Sequence, residues 1–255
     1  MKALSLYHET DSLIQKIDPI CKLYYIASAI LIPLIINTNE IGLIYLFVNI
    51  IILMLGKVLK KVIPLIGFSL IVLLSIVIIQ GLFNNTNKTI FFNMGPIIFY
   101  KEGLLYALKI CMRVINIISA FSILILTTKP SDLIETLIRK GLSPRIGYVL
   151  SSVLQIIPQM VATMDTISDA QRSRGLETEG KLLTRIKAFI PLMGPVVMNS
   201  LIATRERAMA LEVRGFNSKC KKSFLSEEYN YKYSKAIKIV IMLLILSSIA
   251  WRIIL

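Results

Sequence analysis

Val62-Ile63-Pro64-Leu65-Ile66-Gly67-Phe68-Ser69-Leu70-Ile71-Val72-Leu73-Leu74-Ser75-Ile76-Val77-Ile78-Ile79-Gln80-Gly81-Leu82-Phe83 runs for 22 residues without a charge. As a helix it reaches about 33 Å, enough to cross about 30 Å of hydrocarbon. Its apolar residues come as a block rather than in alternation, which predicts a membrane helix and not a barrel strand. Pro64 lies near its start and is expected to kink it.

Outward from this run the pattern repeats. Before it lie Ile20–Ile36, with Lys22 near the start, and Ile41–Leu55. A short polar turn, Asn37-Thr38-Asn39-Glu40, joins these two into a helical hairpin. After it come a polar, Asn-rich loop from Asn84 to Lys101 and a fourth run, Leu104–Leu126. Ile239–Ala250 is the last apolar run, and Lys238 and Arg252 flank it with stems that can snorkel. The expected fold is an all-α polytopic membrane protein with about five spans. Its parts are residues 1–126, a transmembrane region of about four helices, and residues 236–255, a C-terminal transmembrane helix. Residues 127–235 between them form a set of amphipathic helices on the cytoplasmic side.

Orientation follows from the basic residues. Lys57, Lys60 and Lys61 crowd the second loop, whereas the Asn37–Glu40 turn has no lysine or arginine. The segment Thr127–Lys235 holds 17 lysines and arginines against 10 acids. The positive-inside rule places the N-terminus, the second loop and this long segment inside, and Leu255 outside. Ile146–Met164 and Ala188–Ala203 within that segment are apolar enough to touch the membrane, so hydropathy alone also admits seven spans. Ser151, Ser152, Gln155, Pro158 and Gln159 interrupt the first, and Pro191, Gly194, Pro195, Asn199 and Ser200 the second. Interruptions of that kind suit a buried or interfacial helix.

Composition agrees and excludes much. The chain is 55% hydrophobic with a mean hydropathy of +0.72, above the usual soluble range. Its net charge of +14 is explained by topology, without nucleic acid, since no aromatic-basic interleaving accompanies it. Residues Met1–Asp18 do not read as a signal peptide. Cys21, Cys111 and Cys220 form no CxxC pair, and His8 is the only histidine. No metal set, catalytic triad, Walker A loop or intramembrane carboxylate pair is present, so neither an enzyme nor a cofactor is expected. Lys109 and Arg113, one turn apart in the fourth run, either face the bundle interior or snorkel outward. They are the best support for a self-contained secondary transporter, the alternative reading.

Two stretches of the inside segment stand out. Asp169-Ala170-Gln171-Arg172-Ser173-Arg174-Gly175 ends in Arg174 beside a glycine suited to cap a helix. Arg205-Glu206-Arg207-Ala208-Met209-Ala210-Leu211-Glu212-Val213-Arg214-Gly215-Phe216 ends the same way at Arg214. Small or apolar neighbours at Ser173, Gly175, Val213 and Gly215 let a partner approach, and each guanidinium can bond carboxylates or carbonyls in pairs. Ala170, Gln171, Arg172, Glu206, Arg207 and Glu212 support these ends along their helices. Two such ends point to docking on a soluble partner.

These residues resemble the transmembrane T component of energy-coupling factor (ECF) transporters, the EcfT/CbiQ family. Four stretches carry the likeness, in order and over nearly the whole chain. Ile17-Asp18-Pro19 with Lys22-Leu23 is similar to the family's LDP…KL signature, and Thr127-Thr128-Lys129-Pro130-Ser131-Asp132-Leu133 to its TT-x-P-x-x-L segment. Asp169–Glu177 is similar to its AQxARG motif, and Arg205–Phe216 to its ERAxAxExRGF motif. The family often has an arginine shortly before the proline of the first intracellular helix; here that stretch reads Gln155-Ile156-Ile157-Pro158. The resemblance implies a coupling subunit in a bacterial or archaeal cell membrane that takes up vitamins or transition metals. It implies two cytosolic ATP-binding-cassette ATPase subunits docked on coupling helices at Arg174 and Arg214. An integral-membrane, substrate-binding S component on an apolar face completes the implied complex.

Overall fold

A computed structural model describes residues 12, 14–15, 17–83, 89–94, 97–175, 182–218, 223–224 and 234–254. His8, Asn84, Lys88, Glu177, Cys220 and Leu255 therefore lie outside the described residues. Among those described, eight helices and one small hairpin are present. The chain divides into two compact units, residues 5–141 with 228–255, and residues 1–4 with 142–227.

The first unit is the membrane bundle. It contains α1 (Pro19–Ile36), α2 (Asn39–Leu55), α3 (Leu59–Phe83), α4 (Lys101–Thr127), α5 (Pro130–Arg139) and α8 (Ser234–Ile254). Asp18 caps α1 by accepting the Ile20 N–H at 3.0 Å, and Pro19 fills the first helical position, where no N–H is needed. Asn37 ends α1 with φ 54°, in the left-handed region that asparagine tolerates better than most residues. α4 is the central post and packs against α1, α2 and α3, while α8 packs on α1. Ile26, Ala29 and Ala120 are sealed at the α1–α4 contact, the two alanines letting the backbones approach. Ile14, Leu53, Val58, Val62, Ile123 and Leu126 form a second apolar cluster.

A chain of polar side chains runs through this bundle. Tyr25 Oη donates to Asn49 Oδ1 at 2.6 Å, Asn49 Nδ2 donates to Asn116 Oδ1, and Asn116 Nδ2 donates to the Ala29 carbonyl at 2.7 Å. This chain ties α1, α2 and α4 where water is absent and an unpaired amide would be costly.

Five described helices are long and apolar enough to cross a membrane: α1, α3, α4, α8 and α6 (Pro144–Ser173). The number matches the sequence reading, but the membership differs. α2, expected as a span, has 17 residues, the lower end of the length that crosses, and α6, expected to be buried or interfacial, is also long and apolar enough to cross. The loop from Asn84 to Lys101 is also more than a loop. β1 (Ile90–Met94) and β2 (Ile97–Tyr100) form an antiparallel hairpin ahead of α4. Compactness places α5 with the membrane bundle, against α1, and sets the chain division after Gly141.

The second unit is a pair of long helices, α6 and α7 (Leu182–Val213), of 30 and 32 residues. Ser143 accepts the Ile146 N–H at 3.4 Å and Pro144 starts α6. Pro158 in α6 and Pro191 and Pro195 in α7 do not end their helices. The two helices pack against each other, and Leu192 and Val196 of α7 are buried. Tyr148, near the start of α6, packs tilted against Phe216, just past the end of α7, with ring centroids 5.4 Å apart and ring planes at 55°. Gln159 of α6 accepts a hydrogen bond from Arg207 of α7. Both contacts make the pair antiparallel.

Candidate functional site: two exposed arginine helix ends

The second unit ends each of its helices by the same device. α7 finishes at Val213, Arg214 follows as the capping residue, and Gly215 takes φ 68°. The Gly215 N–H reaches the Glu212 carbonyl at 2.9 Å and the Phe216 N–H reaches the Leu211 carbonyl at 2.9 Å. This is a complete Schellman closure, and only a residue free to adopt positive φ serves in the glycine position without strain. α6 finishes at Ser173, Arg174 is its cap, and Gly175 takes φ 86° with its N–H 2.9 Å from the Arg172 carbonyl. In both stretches the glycine stops the helix and leaves the arginine at its rim.

Exposure follows from that geometry. Ser173, Arg174, Gly175, Val213, Arg214 and Gly215 are all exposed, Val213 to 88%. Among the described residues, apart from the glycine and its chain neighbours, no atom lies within 4 Å of where a Cβ on Gly175 or Gly215 would stand. The space beside each arginine is open to a partner surface. Ala170, Arg172, Glu206 and Glu212 are exposed on the same helices, and Gln171 is half-buried. Arg207 serves differently from the reading given by its motif alone, since it turns to Gln159 and ties the two helices together. The Ser173 hydroxyl turns back to the Asp169 carbonyl at 3.1 Å.

The two arginine ends are not brought together. Because α6 and α7 are antiparallel and Tyr148 sits beside Phe216, Arg214 lies by the start of α6 and Arg174 at its end. The intervening stretch of α6 spans about 39 Å at 1.5 Å per residue. Ile156, Gln159, Met160 and Thr163 of α6 face Asn199, Ser200, Ala203 and Arg207 of α7 across a cleft of about 210 Å³. Away from it, Ile146, Val149, Leu150, Val153, Leu154 and Ile157 expose an apolar stripe at helical spacing along α6.

The other two marked stretches meet inside the membrane bundle. Lys22 is 5% exposed, and its Nζ donates to the Thr127 carbonyl at 3.1 Å and to the Thr127 and Thr128 hydroxyls at 3.0 Å each. Thr127 in turn donates to the Ile123 carbonyl at 2.6 Å. Asp18 caps α1 with one carboxylate oxygen and pairs with Lys238 of α8 through the other. Sequence reasoning flagged Lys22 and Thr127 separately; nothing in a single sequence says that residues 105 apart will touch. Arg113 holds the other end of α1, donating to the Pro33 carbonyl at 3.4 Å and to Asn37 Oδ1 at 3.3 Å. Among the described residues no cluster of His, Cys, Asp or Glu could hold a metal ion.

The sequence is similar to known proteins. The family model described as "Cobalt transport protein", CbiQ, matches residues 10–224. The energy-coupling factor transporter transmembrane protein EcfT of Lactococcus lactis subsp. cremoris (strain MG1363) is 32% identical over 225 residues, 82% of each chain. The protein of that name from Streptococcus equi subsp. equi (strain 4047) is 30% identical over 258 residues, 94% of this chain and 93% of its own. That of Brevibacillus brevis is 28% identical, over 98% of this chain and 97% of its own. This multi-pass membrane protein therefore belongs to the CbiQ/EcfT family, the transmembrane components of energy-coupling factor transporters.

Proposed function

We propose that the chain is the coupling scaffold of an ECF-type importer. Two cytosolic ATP-binding-cassette ATPases dock on the ends of α6 and α7, one at Arg174 and the other at Arg214. An integral-membrane S component, which selects a vitamin or a transition metal, docks on an apolar face. ATP-driven motion of the ATPase pair moves α6 and α7, and the S component is reoriented to release its substrate inside. The chain itself hydrolyses nothing.

The observation that carries this reading is the matched pair of helix ends. Each has an exposed arginine on a rim shaped by a glycine, and the pair stands at opposite ends of one antiparallel unit. Two separate grips about 39 Å apart suit two protein subunits better than one small ligand. The apolar stripe of α6 supports a membrane-embedded partner beside them. The positive-inside rule supports a cytoplasmic position for both ends, with the N-terminus inside and the C-terminus outside, in a bacterial or archaeal cell membrane.

Co-purification tests it. Arg174→Ala and Arg214→Ala are each expected to insert and fold normally while recovering less of the ATPase pair, and the double variant is expected to lose uptake. If both singles and the double recover the ATPases and transport at wild-type rates, the docking assignment is wrong. Uptake by the purified chain alone in liposomes without ATP would replace it with a secondary transporter.

A further inference from the structure

The α1–α2 turn stops short of the far ends of α3 and α4. Lys22 meets Thr127 while Asn37 meets Arg113, so α1 and α4 lie antiparallel in register. The polar contacts at the two ends of α1 are thus about 22 Å apart along the helix, against a hydrocarbon thickness of about 30 Å. α4 continues from Arg113 back to Lys101, about 18 Å further. α3 accompanies it, since Cys111 Sγ sits 4.0 Å from the Leu73 carbonyl and α3 runs on to Phe83. This overhang exposes Ile78, Ile79, Phe83, Leu105 and Leu108, which are side chains suited to lipid. Lys109 and Arg113 therefore sit below the level of the overhang, at a depth where an unneutralised cation is costly.

Several features of an anion site converge there. A small recess with room for about one water-sized group, about 20 Å³, is lined by Asn37, Thr38, Asn39, Lys109 and Arg113. Thr38 caps α2 without a side-chain hydrogen bond, so first-turn N–H groups of α2 lack that partner at the recess. Lys109 makes no hydrogen bond or ion pair within the described residues. Asn39 Oδ1 is buried without a hydrogen-bond partner; as an acceptor it does not favour the phosphate oxygens themselves, and only a donor such as a headgroup hydroxyl would satisfy it. Glu40, the acid of that first turn, is exposed and does not line the recess.

We propose that the mouth of this recess, rather than its water-sized interior, binds the phosphate of an anionic phospholipid headgroup, drawing the bilayer surface down to the α1–α2 turn. Lys109 and the α2 N-terminus neutralise the phosphate, Arg113 flanks it while holding the end of α1, and Asn39 accepts from a headgroup hydroxyl. The site is independent of the ATPase docking reading, because it uses only the membrane bundle.

Native mass spectrometry of the full chain, extracted with whatever it binds and titrated with defined lipids, tests it. Phosphatidylglycerol is expected to bind wild type about tenfold more tightly than phosphatidylcholine. Lys109→Gln should remove that preference and Lys109→Arg should keep it. Lys109 is the residue to change because it bonds to nothing else among the described residues; Arg113→Gln would also free the end of α1. Equal binding of the two lipids by wild type, or an unchanged preference in Lys109→Gln, overturns the proposal. If inorganic phosphate alone binds and displaces the lipid, the site takes free phosphate and the lipid assignment falls.

Discussion

Lys22 and Arg214 are both cations in marked stretches, and the protein uses them in opposite ways. Lys22 is enclosed by the α4–α5 junction with three acceptors around its ammonium. Arg214 stands at an open rim. In the membrane bundle, Asp18, Lys22, Thr127, Thr128 and Lys238 close on one another and join α1, α4 and α8. In the second unit, Gly215 and Phe216 close the helix end and the Phe216 ring packs tilted against Tyr148, leaving the Arg214 side chain without a bond among the described residues. A buried cation surrounded by acceptors holds a fold, because breaking it leaves unpaired groups away from water. An exposed one contributes little to folding and is free for a partner.

That contrast can be broken most decisively at the tips. The double variant Arg174→Ala/Arg214→Ala should lose ATP-dependent uptake by about a hundredfold or more, since removing one partner of a desolvated pair costs about 2–5 kcal/mol. Its thermal midpoint in detergent should stay near wild type, as expected of exposed substitutions within about 0.5 kcal/mol. A large fall in the midpoint would mean that the tips are structural after all. Lys22→Met should do the reverse. Stability drops by about 1–3 kcal/mol as the Thr127 carbonyl loses its donor, while ATPase recovery per folded molecule is unchanged. Normal stability with lost docking would erase the distinction between the two regions.

Smaller effects sharpen it. Asp18→Ala removes the α1 cap and the partner of Lys238, and should cost about 1–2 kcal/mol by thermal unfolding. Asp18→Asn keeps the cap and should retain about half of that loss. At Gly215, valine must adopt positive φ at a cost of about 1–2 kcal/mol, whereas asparagine should cost only a few tenths (about 0.3). Limited proteolysis beside Gly215 should report this as faster cleavage in Gly215→Val alone.

The spans and the two arginine ends were legible because they are local. Block hydropathy marks α1, α3, α4 and α8, and a glycine after a polar helix marks the rims at Gly175 and Gly215. Three features were not legible. The bond from Lys22 to Thr127 and Thr128 joins residues far apart in sequence, and only the packing of α1 on α4 creates it. The hairpin at Ile90–Tyr100 is too short for a periodic signal beside an asparagine-rich stretch. Pro158, Pro191 and Pro195 read as interruptions, yet packing of α6 against α7 carries each helix through its prolines. Arg207 also changed meaning, because a charge within a motif can face a neighbouring helix as readily as a partner.

Pro158 has a mechanical consequence. It removes the amide donor that would bond the Leu154 carbonyl, next to Gln159, where α6 is tied to α7. On the proposed docking, a stroke delivered at Arg174 would travel about 22 Å along unbroken helix before it met this softened joint. An arm stiff toward its outer tip and compliant at Pro158 would convert such a push into bending as well as translation.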